Sequence, residues 1–202
     1  MNMNEIFNKT YQNYLKQLEG LDLSERGDRL GLEVIGGELS VPLFGIPYRV
    51  SSSGVISEKG LQAGFSESVV IFKYILMCPE PLPGGFEWAA YHSFKDAQPL
   101  LNFFAREVTA PIEKHFAGRM GNLEEAGKKL GGASVKDAAA FDFSMEFEAL
   151  SKIPLFLRFN DEDEDFPARC TVLFKSSVEK YLDMESLGIL GAMFTKSLIG
   201  RI

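Results

Sequence analysis

Residues 141–149 read FDFSMEFEA, with Phe141, Phe143, Met145, Phe147 and Ala149 alternating with Asp142, Ser144, Glu146 and Glu148. Successive side chains of a strand point to opposite sides, so a period of two this strict specifies a strand with one buried and one wet face. A wet face belongs to antiparallel sheets, because parallel sheets are covered on both sides by their crossover helices. Two further apolar runs follow closely, IPLFLRF at 153–159 and RCTVLF at 169–174. The short connections between the three runs predict an antiparallel meander over about 141–174.

Helical spacing surrounds this core. Phe7, Tyr11, Tyr14 or Leu15, and Leu18 recur at intervals of three and four and stop at Gly20. Asp22 with Glu25 forms a capping-box pattern for a short helix ending before Gly31. From Leu32 the chain reads LEVIGGELSVPLFGIPYRV, where Gly36-Gly37 permits a tight turn, and this predicts a small N-terminal β-hairpin region. SESVVIFKYILM is read as a helix capped by Ser66. CPEPLPGGFEWAAYHSF, broken by prolines and Gly84-Gly85, is read as a loop presenting Trp88, Tyr91 and His92. Asp96 is expected to cap the next helix, which Pro111 bends or interrupts, and a short helix after Asn122 closes at Gly131-Gly132. Asp183 caps a last, strongly apolar helix. Helices and strands segregate along the chain, so the expected class is α+β, and 202 residues fit one domain, 1–202.

Charge narrows the function. The net charge is -7, and Asp161, Glu162, Asp163, Glu164 and Asp165 supply five of those negative charges. The acidity is local, and no lysine- and arginine-rich block neutralises phosphates, which argues against nucleic acid as a partner. No apolar run approaches the roughly 20 residues of a spanning helix, and the N-terminus has no signal-peptide pattern, so no membrane role and a cytoplasmic location are expected. Cys78 and Cys170 sit in apolar surroundings and read as buried free thiols rather than a disulfide scaffold or metal cluster.

Three features carry candidate chemistry. The acidic run could hold a metal through Asp161, Asp163 and Asp165, which imitate the start of a calcium loop; Phe166 and Val172, however, occupy the places of its glycine and its bidentate glutamate. The competing reading is a solvated hairpin tip, with Phe166-Pro167 returning the chain to extended geometry and the phenylalanine pinned on the core. His92, close to Trp88 and Tyr91, is the better placed of the two histidines for a small-ligand site; His115 reads as a favourable charge near a helix end. The terminal helix carries Leu187, Leu190, Phe194 and Leu198 on one stripe and is apolar beyond it, which points to core burial with a homodimer as the alternative. Local signatures of hydrolases, phosphate-binding loops, zincins and dinucleotide folds are missing, and no residue pattern names a cofactor.

IFKYILM leading to GGFEWAAYHSF, then DEDFPARCTVLF, then KYLDMESLGILGAMFTKSL, together resemble an uncharacterised domain-of-unknown-function family of anaerobic bacteria and archaea. The resemblance implies a link to one-carbon or corrinoid metabolism, since some members are joined to a cysteine-rich iron-sulfur segment of the corrinoid-protein kind. These 202 residues contain no such segment. The expectation is therefore a non-catalytic module that binds a small ligand or a protein partner. The alternatives are a metal-dependent enzyme using 161–165, or a structural subunit that oligomerises through its C-terminal helix.

Overall fold

A computed structural model describes residues 3–85, 87–136 and 141–200. Its first half opens with α1 (Met3–Leu18) and α2 (Leu23–Leu30), followed by the meander β1 (Glu33–Ile35), β2 (Glu38–Leu43), β3 (Ile46–Ser51) and β4 (Gly54–Ser57), and then by α3 (Phe65–Leu76). The predicted hairpin region is thus a four-stranded antiparallel sheet in the order β1-β2-β3-β4. Gly36 and Gly37 make its first turn at φ 61° and 84°, left-handed values that glycine adopts without penalty. Asp22 caps α2 as expected, accepting the Ser24 and Glu25 N–H groups. α3 instead begins one residue before Ser66, after Gly64, with no side-chain cap. Burial rather than capping fixes that helix, since Val70, Ile71, Phe72, Tyr74 and Ile75 are fully enclosed.

The second half contains β5 (Trp88–Ala90), a helix running from α4 (Leu101–Phe104) through a π turn (Ala105–Thr109) into α5 (Ala110–Phe116), and α6 (Met120–Lys129). There follow β6 (Ala133–Ser134), β7 (Phe143–Leu150), β8 (Ile153–Asn160), β9 (Arg169–Lys175) and α7 (Met184–Ile199). The sheet order is β5-β9-β8-β7-β6, antiparallel throughout, so the meander is present and gains an edge strand on each side. The class is α+β. Trp88 lies in an edge strand rather than a loop, because its three residues find hydrogen-bonding partners in β9. Asp96 does not cap a helix: a 3-10 turn (Gln98–Leu100) leads into α4 without a side-chain cap. α6 starts before Asn122, at Met120, and also lacks a side-chain cap.

On the inner sheet face, Met145, Phe147, Leu155, Leu157, Phe159, Val172 and Phe174 are buried, and Phe194 of α7 meets Phe147 at 4.8 Å between ring centroids. Leu187, Leu190, Phe194 and Leu198 are fully buried, so this stripe of α7 is core. A Cβ at Gly191 would come within 3.0 Å of Val108, which is why the helix at 101–116 can lie so close to α7. The two sheets share one core cluster. Lys152 N–H donates to the Tyr74 hydroxyl at 3.1 Å, Tyr74 and Ser151 bond at 2.9 Å, and Ser151 donates to the Leu30 carbonyl at 2.7 Å. Because Ser151 gives its proton to Leu30, Tyr74 must donate to Ser151, and the chain of bonds ties α2 and α3 to the β7–β8 turn.

Candidate ligand-binding site

β5 covers only the last part of β9: Trp88 pairs with Lys175, Ala89 with Phe174 and Ala90 with Leu173. The chain then leaves the sheet through a 3-10 turn, Tyr91–Ser93, so Cys170, Thr171 and Val172 run on without a strand beside them on that side. Edge N–H groups away from water need partners. The helix at 101–116 supplies one, as Cys170 N–H donates to Glu113 Oε1 at 2.9 Å.

The same helix contains Pro111, which has no N–H and whose ring would clash with the carbonyl four residues back in a regular α-turn. The turn before it widens into the π form over Ala105–Thr109, with Ala110 N–H reaching the Ala105 carbonyl. Thr109 Oγ1 also donates to that carbonyl at 3.4 Å, and Thr195 Oγ1 donates to the Val108 carbonyl at 3.0 Å. Single π turns of this kind recur at functional sites because they displace side chains from helical register.

Between this helix, the Tyr91–Ser93 turn and the open part of β9 lies a cavity of about 320 Å³. Tyr91 and Phe104 form its apolar side, stacked at 4.1 Å with rings 10° apart. His92 stands exposed at the mouth, and Thr109 and Thr171 line the walls half-buried. The Tyr91 hydroxyl donates to the Met184 carbonyl at 2.6 Å. Burial pushes its phenol up to about 12, with Asp183 and Glu185 adding to the effect. The Cys170 thiol also lines the cavity, and burial, reinforced by the Glu113 carboxylate, holds its pKa well above the ordinary value. It is a neutral thiol near pH 7, not a nucleophile. Cys78 is likewise buried and free.

The structure therefore brings Tyr91 and His92 together and leaves Trp88 outside. Trp88 sits on the outer sheet face, with its ring 5.2 Å from Phe156 and the Lys175 ammonium 3.7 Å above it. Arg158 lies 5.1 Å from the rings of both Phe156 and Phe141 on that face, so aromatic and cationic side chains alternate across it.

The acidic segment occupies another place. Asn160 pairs with Arg169 to close the β8–β9 hairpin, and residues 161–168 form its loop. Asp161 Oδ1 accepts Gly118 N–H at 2.7 Å and Glu162 N–H at 2.9 Å. Asp163 Oδ1 accepts the N–H groups of Asp165 and Phe166, both at 2.8 Å. Among the described residues no group of three or more His, Cys, Asp or Glu side chains is placed to hold a metal ion. Phe166 is 69% exposed and is not pinned on the core, because the Asp163 turn aims it outward. His115 packs edge-on against Phe116 near the end of α5. Sequence reasoning passed over Phe104, Thr109, Cys170 and Thr171; the available signal was Pro111 inside an otherwise helical pattern.

No helix among the described residues is long and apolar enough to cross a membrane. No curated protein and no solved structure matches the chain. Residues 22–197 match the family model described as a domain of unknown function (DUF3786), a span that contains the whole cavity and leaves out α1, and the chain belongs to that family.

Proposed function

We propose that this protein is a non-catalytic module that binds a small ligand at the open edge of β9. The observation that carries the reading is the cavity itself: a strand that stops early and a helix widened by a π turn leave an apolar niche with His92, Thr109 and Thr171 around it. Its volume of about 320 Å³ stands at the small end of the ligand-pocket range of roughly 300–1,000 Å³. A flat aromatic or aliphatic molecule with one polar group matches this lining, the apolar part against Tyr91 and Phe104 and the polar group at the threonines and histidine.

Two features favour binding over catalysis. The thiol of Cys170 is kept neutral, and the Tyr91 proton is committed to a backbone carbonyl. The setting the family resemblance implies is anaerobic one-carbon or corrinoid metabolism. A corrinoid macrocycle is too large for this cavity, so in that setting the ligand would be a smaller molecule.

A thermal-shift screen of small carboxylic acids, pterins and nucleosides tests the proposal on the wild-type chain and on Ala105→Phe, which places a bulky ring at a cavity-lining position of the helix. Compounds that raise the wild-type midpoint and leave the variant unmoved are expected. An absence of hits, or hits that stabilise both proteins equally, would reject the cavity as the site.

A further inference from the structure

The open edge of β9 holds one main-chain donor between two that are satisfied. In an antiparallel ladder, alternate residues of a strand turn their N–H and C=O groups to the same side. Just past one end of β9, Ser176 N–H donates to the Glu87 carbonyl at 2.8 Å, on the β5 side; near the other end, Cys170 N–H donates to Glu113 Oε1 at 2.9 Å. Val172 lies between them in the same alternation, 2% exposed, and its N–H points the same way. In the register that pairs Ala89 with Phe174 and Ala90 with Leu173, its partner would be Tyr91. The chain turns away at that residue: the Tyr91 carbonyl accepts Phe94 N–H at 3.3 Å in the 3-10 turn, and the ladder stops. Val172 lines the cavity of about 320 Å³, so the side on which its N–H lacks a strand partner is the side the ligand would occupy.

We infer that the ligand's polar group is a neutral carbonyl that accepts the Val172 N–H and so stands in for the missing strand at that position. The inference rests on the cavity being the ligand site, and it names the class of compound taken there: a flat amide or lactam with its ring against Tyr91 and Phe104. A strand N–H enclosed away from water needs an acceptor, and an amide carbonyl supplies one without a charge to desolvate. A carboxylate suits the position poorly. Among the described residues lining the cavity none is Lys or Arg, and the Glu113 carboxylate already holds the next N–H on that side, two residues or roughly 7 Å along the strand. Like charges so placed at a part-buried edge repel. Extended peptides bind sheet edges through the same main-chain bond, here reduced to a single carbonyl.

Three probes of one shape test it on the full wild-type chain: 2-naphthamide, 2-naphthoate and the carbonyl-free 2-methylnaphthalene, each titrated by two-dimensional amide NMR with hydrogen exchange read at Val172. The amide is expected to give saturable shifts at His92, Ala105 and Thr109, to move the Val172 amide proton downfield and to slow its exchange. The hydrocarbon should bind about tenfold more weakly, the size of one hydrogen bond to an otherwise unpaired donor, and the carboxylate more weakly than the amide. Shifts at His92, Ala105 and Thr109 with Val172 unchanged would overturn the inference while leaving the cavity as the ligand site, as would equal affinity for the amide and the hydrocarbon or a carboxylate that binds as tightly as the amide. No shift at those residues with any of the three probes counts against the cavity itself, and the inference falls with it.

Discussion

Glu113 holds the helix at 101–116 against the β9 edge, and its removal gives the sharpest structural test of how the cavity is built. Its carboxylate accepts the Cys170 N–H at 2.9 Å in a part-buried position. Glu113→Ala leaves that N–H without its acceptor; a hydrogen bond to a charged group contributes about 1.5–3 kcal/mol, and partial exposure argues for the lower half of the range. Taking about 1.5–2 kcal/mol, and about 2–4 °C per kcal/mol for a chain of this size, the expected fall in melting temperature is roughly 3–8 °C. Glu113→Gln keeps an acceptor at the same reach without the charge and should lose less than half as much. Thermal unfolding followed by circular dichroism reads the stability, and amide hydrogen exchange reads the Cys170 N–H, which should exchange faster in the alanine variant and near wild type in the glutamine variant. Equal losses in the two variants, or an unchanged exchange rate at Cys170, would refute the view that this bond closes the edge.

Three further outcomes follow from the packing. Gly132→Ala should cost about 1–3 kcal/mol by overpacking in a denaturant titration, since a Cβ there would meet Met145 and Phe147, both buried. Phe166→Ser should leave the unfolding midpoint unchanged, because the ring is 69% exposed; a marked loss would restore the reading in which it is pinned on the core. Asp183→Asn keeps an N-cap acceptor for Ser186 N–H at the start of α7 but removes the ion pair to Lys73 at 2.8 Å. Burial of Asp183 works to raise its pKa, yet the hydrogen bonds from Lys73 and Ser186 outweigh it and hold the group below its usual value. A depressed folded-state value contributes stability that is present above the unfolded pKa and lost as pH falls through the folded one. The Asn variant should therefore lie slightly below wild type at neutral pH, by less than about 1 kcal/mol for so exposed a pair, and converge with it below about pH 4. A gap that widens on acidification would contradict the sign.

Much of the fold was legible where local pattern and burial agree. The alternation at Phe143–Leu150 fixed both strand and face, and the Asp22 and Asp183 caps marked helix starts at the residues found. Trp88 escaped because a three-residue edge strand is defined by its pairing with Lys175, eighty-seven positions away, and nothing in WAA alone signals it. Phe156 breaks the alternation of β8 because Trp88 and Arg158 cover it on the outer face. At the site, Tyr91 and His92 were recognisable as neighbours in sequence, whereas Thr109 and Thr171 join them only through tertiary packing around the π turn. That Oδ1 of Asp161 and of Asp163 accepts backbone N–H groups of the same loop depends on the turn the loop makes, which a run of five acids does not reveal.

The central claim is that ligand enters at the β9 edge, and the most direct measurement is a two-dimensional amide NMR titration of the wild-type chain with the best compound from the screen. Saturable shifts concentrated at His92, Ala105, Thr109 and Thr171 are expected. Shifts concentrated instead at Trp88 and Lys175 on the outer sheet face, or at Asp161 to Phe166 in the acidic loop, would contradict it.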